Sequence, residues 1–341
     1  MKAMVLNSIC DLSKERNPLV MEELPEPAIG DDEILIEVFR CAVCHTEIDE
    51  IEGRTPPLSF PMVLGHQVVG KVVEAGKASG YSTGERVGVG WIYSSCGKCN
   101  YCKNGLENLC PKFVATGRDV FGGYSQLMKA KGEFSFRIPE RLSSSEAAPL
   151  LCAGAIGYRS LRLSSIKDGD PLGLTGFGAS GHLVLKMSRF LYPNSQVYVF
   201  ARSEREREFA LSLGAIWAGD NSDPSPEKLS AIIDTTPVWR PILGALRNLA
   251  PGGRLVINAI RKEDVDKDVL ATINYEKDLW MEKEIKSVAN VSKRDIEEFL
   301  QLAGKMNLRP EYNEYDLKDA NIALLELKEA KIKGAKVLVI K

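Results

Sequence analysis

The pattern of apolar and polar positions changes character near residue 140. Before it, short apolar runs are interrupted by turn residues, and the pattern predicts strands. Residues 33–39 read EILIEVF, residues 62–74 are β-rich, and 86–90 is a short strand between turns. Ser143 and Glu146 then have the spacing of a capping box and open a helical stretch towards Arg162. Pro149, inside that stretch, should kink the helix or mark its first turn. From residue 171 strands and helices alternate. Strands are predicted at 171–175, 196–201, 231–234 and 254–260, and helices at 179–191, 204–213 and after Trp239. Such alternation indicates a parallel sheet with helices on both faces. Two helices, 293–304 and 317–330, and a strand, 335–340, follow. No internal repeat or low-complexity segment is present.

Composition sets bounds on this picture. A chain of 341 residues is too long for one ordinary core and suits two domains. An apolar fraction of 44% and a charged fraction of 26% are those of a soluble globular protein. The formal net charge of -2 gives no reason to expect a nucleic-acid or anionic-membrane partner. No apolar run approaches the ~18 residues of a membrane helix. The apolar start soon meets Asp11, Lys14, Glu15 and Arg16 and does not read as a signal peptide. The expected location is the cytoplasm, where thiols stay reduced.

The eight cysteines are unevenly placed, which favours metal binding over a disulfide framework. Cys96, Cys99, Cys102 and Cys110 lie in one loop with Gly97 and Gly105 and can fold around a tetrahedral zinc. Lys98, Lys103 and Lys112 are placed to offset the excess thiolate charge. Four sulfurs leave no open position, so this metal would be structural. Redox-active cysteines and an iron–sulfur cluster are the alternatives. A catalytic zinc needs about three protein ligands and an open position. Cys44 in CAVCHTE, His66 in GHQVVG and Cys152 in PLLCAG are candidates. Singly, each reads as an ordinary core residue. Their company changes this: the cysteine loop follows His66, and a nucleotide motif follows Cys152.

That motif is Gly176-x-Gly178-x-x-Gly181, after a predicted strand and opening a predicted helix. The glycines allow a tight turn, close approach of a pyrophosphate, and close packing of helix on strand; the helix N-terminus then faces the phosphate charge. His182 reads as a packing or phosphate-side residue. An NAD site places a carboxylate about 20 residues further on. Here the second strand runs into Ala201, Arg202 and Ser203, and Glu204 falls in the helix. Arg202, with Ser203 and Arg205, can hold a 2′-phosphate instead, so NADP is expected over NAD. The plain alternative is that Arg202 is a solvated surface charge.

On CAVCHTE (41–47), LGHQVVGKVVEAG (64–76), the four-cysteine loop, PLLCAGAIGYRSL (149–161) and GFGASG (176–181), the chain resembles the medium-chain zinc alcohol dehydrogenases over nearly its whole length. It is most similar to a branch with segments like SVANVSKRD (287–295). The resemblance implies an α/β fold. A mostly-β, GroES-like catalytic domain would span 1–152, carry a zinc lobe at 94–112, and be completed by 289–341. A doubly wound Rossmann domain would span 153–288, with the active site in the cleft. It also implies two zincs per chain, with Cys44, His66 and Cys152 holding the catalytic one. Thr46 matches a hydroxyl that bonds the substrate oxygen, and His45 a position near the cofactor pyrophosphate. Asp49 stands where relatives carry a relay histidine. Trp91 matches an aromatic wall of the substrate site, although a core tryptophan is the plain reading. Lys293 and Arg294 lie in a segment that approaches the cofactor.

The implied reaction is hydride transfer between a primary alcohol, aromatic ones included, and NAD(P)+. The implied assembly is a homodimer or homotetramer, often joined through the sheet edge of the nucleotide domain. Gln67 departs from the family's glutamate. A carboxylate behind the metal is lost, which should leave the metal more electrophilic and less tightly held. Glu47 either supplies such a carboxylate or lies on the surface. Two alternatives stand beside this reading. One is a polyol or sugar dehydrogenase on the same scaffold. The other is a non-catalytic NADP-binding protein, which Gln67 and Asp49 favour and the set Cys44, His66, Cys152 and Thr46 opposes.

Overall fold

The computed structural model describes residues 1–329 and 334–341. It divides into two compact units, Met1–Ala155 with Ser292–Lys341, and Ile156–Val291.

In the first unit, β1 (Lys2–Leu6) pairs antiparallel with β2 (Leu19–Glu23). β3 (Glu33–Val43) is the longest strand, and its run of apolar residues is buried over most of its length. The chain turns at Cys44 into the seven-residue helix α1 (His45–Ile51). After β4 (Met62–Val63), which pairs with β1, β5 (Gln67–Ala75) runs antiparallel along β3. The register sets Ala42 opposite Gln67. Cys44, just past the end of β3, and His66, just before β5, therefore emerge at the same end of the sheet. β6 (Arg86–Val89) pairs with β5. β7 (Ile92–Ser94) and β8 (Val114–Ala115) pair with one another and bracket the cysteine loop with its short helix α2 (Asn100–Lys103). β9 (Leu127–Lys131) adds to β3, and β10 (Ser135–Arg137) to β6.

α3 (Ser144–Pro149) begins at Ser143, and both halves of its capping box are formed. Pro149 neither kinks it nor sits in its first turn; it ends it. Proline has no N–H to give, and its ring crowds the preceding turn. The helix widens into a π-helical turn, Leu150–Gly154, before α4 (Ala155–Ser164). Cys152 sits in that turn.

The second unit is a six-stranded parallel sheet. Its elements are β11 (Leu172–Thr175), α5 (Ala179–Leu191), β12 (Val197–Phe200), α6 (Glu204–Ser212), β13 (Trp217–Gly219), β14 (Leu229–Asp234), α7 (Arg240–Asn248), β15 (Leu249–Ile257) and β16 (Glu284–Ser287). The strand order is β13-β12-β11-β14-β15-β16, so the connection reverses between β11 and β14. Ligands bind at such a switch point, outside the carboxyl ends of the strands. β15 starts earlier and ends sooner than the apolar pattern of 254–260 suggests. Pro251-Gly252-Gly253 reads as a break, yet the strand absorbs it as a shift of register against β14.

The tail returns to the first unit as α8 (Lys293–Met306), β17 (Tyr312–Asp316), α9 (Ala320–Lys328) and β18 (Ala335–Val339). β18 pairs antiparallel with β3, from Lys336 opposite Val43 to Val339 opposite Arg40. The helix expected at 317–330 opens as a 3-10 turn, Leu317–Asp319, and Ala330 lies outside the described residues. Ile36 of β3, Val68 of β5, Leu324 of α9 and Leu338 of β18 share one buried core. Phe200, Ile232, Leu246 and Leu255 share the core of the second unit. No helix among the described residues is long and apolar enough to cross a membrane.

Candidate active site

One ligand atom each of Cys44, His66 and Cys152 lie within 4.8 Å of one another. Two sulfurs and an imidazole are a donor set that suits zinc, and three ligands leave a tetrahedral position open. Local structure fixes each one. Cys44 is the N-cap of α1, and its backbone N–H donates to Oε2 of Glu47 at 2.7 Å. The other oxygen of Glu47 lies 2.7 Å from Nδ1 of His66, which leaves Nε2 for a metal. Glu47 is fully buried, so it is no surface residue. Contact with Cys152, helped by His66, holds the Cys44 thiol well below its usual range. Burial opposes charge on His66, but Glu47 and Cys44 outweigh it and hold the imidazole pKa well above its usual value.

Glu50 lies one turn beyond Glu47 on the same helix, fully buried, with no hydrogen-bond partner for either oxygen among the described residues. Burial pushes its carboxyl well above the usual range, and the charge of Glu47 adds to this. Beside Gln67, then, the helix brings buried carboxylates to this end of the sheet. The surroundings of the triad are not short of carboxylates, because α1 supplies two. Glu50 escaped the sequence reading because a seven-residue helix is too short to show a buried face by periodicity. Replacing Glu47 by Gln should weaken zinc binding about 10–100-fold, measured by competition with a chelator, and leave the circular dichroism spectrum unchanged.

The remaining predicted residues are placed as follows. Oγ1 of Thr46 is 3.6 Å from Sγ of Cys44, and the side chain is largely buried. His45 is exposed on α1. Asp49 is buried and accepts a hydrogen bond from Nε of Arg54. Trp91 packs against Phe113, with ring centroids 4.9 Å apart, and the Arg118 guanidinium lies 5.3 Å from its ring. Arg294 pairs with Glu298, and Lys293 reaches towards Glu133.

The four sulfurs of Cys96, Cys99, Cys102 and Cys110 also lie within 4.8 Å of one another. A zinc with Zn–S bonds of ~2.3 Å needs sulfurs ~3.8 Å apart. Cys99 and Cys102 are 3.5 Å apart, and Cys96 and Cys102 3.9 Å. The backbone N–H groups of Cys99 and Lys112 point at sulfurs of Cys96 and Cys110, at 3.3 and 3.4 Å, and spread their charge. None of the eight cysteines forms a disulfide.

In the second unit, Gly176 has a φ of +81°, and a Cβ there would fall 2.8 Å from Oγ1 of Thr235. A Cβ on Gly181 would fall 2.7 Å from the carbonyl oxygen of Gly176, whereas one on Gly178 would meet nothing within 4 Å. The loop is thus closed on the sheet side and open at Gly178, the N-cap of α5. No side chain caps that helix, so its first N–H groups are available to an anion. His182 is buried with Nδ1 3.1 Å from the Gly178 carbonyl oxygen, where it tethers the loop.

Arg202, Ser203 and Arg205 are exposed after β12, and Ala201 is buried. The Ser203 hydroxyl caps α6 and donates to Glu206 at 2.8 Å. Arg207, which the sequence reading passed over, donates to the carbonyls of Ala201 and Arg202 and stiffens this corner. A buried pair, Asp234 with Lys262, closes the end of β14 and was also missed.

A model of the alcohol dehydrogenase GroES-like domain matches residues 30–140. The probable alcohol dehydrogenase AdhA of Mycobacterium tuberculosis is 38% identical over 327 residues, 94% of this chain and 92% of that one. The chain belongs to the medium-chain zinc-dependent alcohol dehydrogenase family. Cinnamyl alcohol dehydrogenase 8 of Arabidopsis thaliana is 31% identical over 319 residues, 89% of this alcohol dehydrogenase chain and 87% of the plant protein. Among solved structures, the CAD of Helicobacter pylori complexed with NADP(H) superposes with a TM-score of 0.86 at 25% identity, covering 99% of this chain and 97% of that one. The two-unit, GroES-like plus Rossmann architecture is the fold of this dehydrogenase family.

Proposed function

We propose that this alcohol dehydrogenase moves a hydride between primary alcohols, aromatic ones among them, and NADP+, and reduces the matching aldehydes in reverse. The observation that carries the reading is the triad Cys44, His66 and Cys152, three donors converging with a fourth position left over. Zinc held there would supply Lewis-acid polarisation of the substrate oxygen. Glu47, with one oxygen 2.7 Å from Nδ1 of His66, would hold the ring so that Nε2 ligates the zinc once binding displaces its proton. Oγ1 of Thr46, beside Cys44, would hydrogen-bond the substrate hydroxyl and relay its proton by giving up its own as it accepts. Asp49, held by Arg54, is the carboxylate that would receive that proton, directly or through water. Trp91, buried against Phe113 with the Arg118 guanidinium over its ring, fits the core-tryptophan reading better than a substrate wall. A cinnamyl alcohol dehydrogenase among the relatives supports an aromatic substrate. A substrate panel tests this: benzyl and cinnamyl alcohol should be turned over well above polyols and sugars. The reverse order would favour the polyol reading.

The preference for NADP is supported by the absence of a carboxylate at Ala201 and by Arg202 beside it. Arg202→Ala should lower kcat/KM for NADP about 10–100-fold and leave that for NAD within about twofold. A wild-type enzyme that works better with NAD would overturn this part of the reading.

Self-assembly through β16 is part of the proposal. This edge strand is exposed throughout, and Trp280, Met281 and Ile285 are exposed on or next to it. Thiolate ligands at both centres suit a reducing compartment such as the cytoplasm.

A further inference from the structure

The carboxyl ends of β11, β14 and β15 come together at the switch point of the second sheet, and Asp234 stands in the middle of them. It pairs in register with Thr175 of β11, and its carbonyl accepts from the backbone N–H of Asn258, the first residue after β15. Its side chain is fully buried. Lys262, from the loop after β15, donates to Oδ2 of Asp234 at 2.5 Å and to the carbonyls of Thr236 and Val238 at 2.7 and 2.9 Å. The Thr236 hydroxyl donates to Oδ1 of Asp234 at 2.7 Å.

One ammonium thus ties the segment after β14 to the segment after β15. A buried ion pair is not needed for this sheet to pack, and apolar residues of the same size usually do as well or better. The pair therefore calls for a reason beyond stability. Its neighbours supply one. The segment it fastens is the wall of the glycine loop, since a Cβ on Gly176 would strike Thr235 and Thr236. Thr235 also donates to the carbonyl of Thr175 at 3.1 Å. Two further buried polar atoms at these strand ends, Oγ1 of Thr175 and Nδ2 of Asn258, have no hydrogen-bond partner among the described residues. Buried polar atoms are nearly always satisfied, so atoms left open at a switch point indicate an occupant.

We propose that Lys262 and Asp234 are positioning residues for the dinucleotide: they lock the 235–238 segment against the glycine loop so that the phosphate cradle is formed before the cofactor arrives. This rests on the reading that the glycine loop binds a dinucleotide. The lock acts on the cradle wall and not on the zinc triad. Its loss should therefore appear in cofactor affinity and leave turnover alone.

The test uses the full metal-loaded chain. Asp234→Asn with Lys262→Met removes both charges together, so no buried charge is left alone. The dissociation constant for NADP, from quenching of tryptophan fluorescence, should rise at least about tenfold. Turnover at saturating cofactor should stay within about twofold, and zinc content should be unchanged. Wild-type affinity in the paired variant would overturn the proposal, as would a fall in turnover at unchanged affinity. Thr236→Val, which removes the hydroxyl's hydrogen bond to Asp234 and its longer contacts with Lys262 and Val238, carries the test if the paired variant does not fold. It should weaken NADP binding about threefold, and an unchanged constant would count against the lock. A wild-type chain that binds neither NADP nor NAD would instead sink the dinucleotide reading itself.

Discussion

Replacing Cys44 by alanine should take the zinc content from about two ions per chain to about one and abolish alcohol oxidation. Cys44 is one of three converging donors among the described residues, so its loss leaves His66 and Cys152, too few to hold the ion. The fold should survive. The bond that starts α1 on the carboxylate side runs from the backbone N–H of residue 44 to Glu47, and alanine keeps it. An N-cap change of this kind costs about 1 kcal/mol. Plasma emission spectroscopy on both proteins, with benzyl alcohol and each cofactor for activity, reads the outcome. Unchanged zinc in the variant, with about one ion in the wild type, would mean that only the cysteine lobe is metallated. The non-catalytic reading would then move to the front.

The second large effect is expected at that lobe. Cys99→Ser should remove the other zinc and lower the melting temperature by roughly 10 °C. The reason is the poverty of the lobe's own packing. Neither α2 nor the 3-10 turn Glu107–Leu109 contains a buried residue, so almost nothing but the metal can order the loop. Trypsin should then cut at Lys98, Lys103 and Lys112, whose side chains are already exposed and whose backbone becomes cleavable once no metal holds the loop in one conformation. The variant should still bind cofactor, because the glycine loop belongs to the other unit. A variant that melts and resists trypsin like the wild type would show that the lobe does not depend on its metal.

What the chain disclosed in advance followed from how local each signal is. The cysteine loop and the glycine loop are contiguous motifs, and their chemistry is written in spacing. The capping box at Ser143 and Glu146 was equally plain. The environment of the triad was less so. Glu47 could be read as surface or buried, because that depends on where β5 lies against β3, a contact some 20 residues away in sequence. Glu50, Arg207 and Lys262 carry no pattern of their own and gain meaning only from burial. β16 and β17 went unseen for a related reason: they are exposed, charged edge or near-edge strands without the alternation that marks a half-buried one. The π-helical turn at Cys152 is likewise invisible, since a widened hydrogen-bond ladder leaves no trace in residue type beyond Pro149.

The pairing of β18 with β3 also bears on synthesis. Arg40 to Val43, the stretch leading into Cys44, has its neighbour on one side only when residues 335–339 arrive. The second unit is continuous from Ile156 to Val291 and has all its strands long before then. Domains usually mature on the ribosome in the order in which they are made. Here the earlier-made unit must finish last, and a nascent chain stalled between residues 291 and 335 would carry every strand of the nucleotide fold and a first sheet still open at β3.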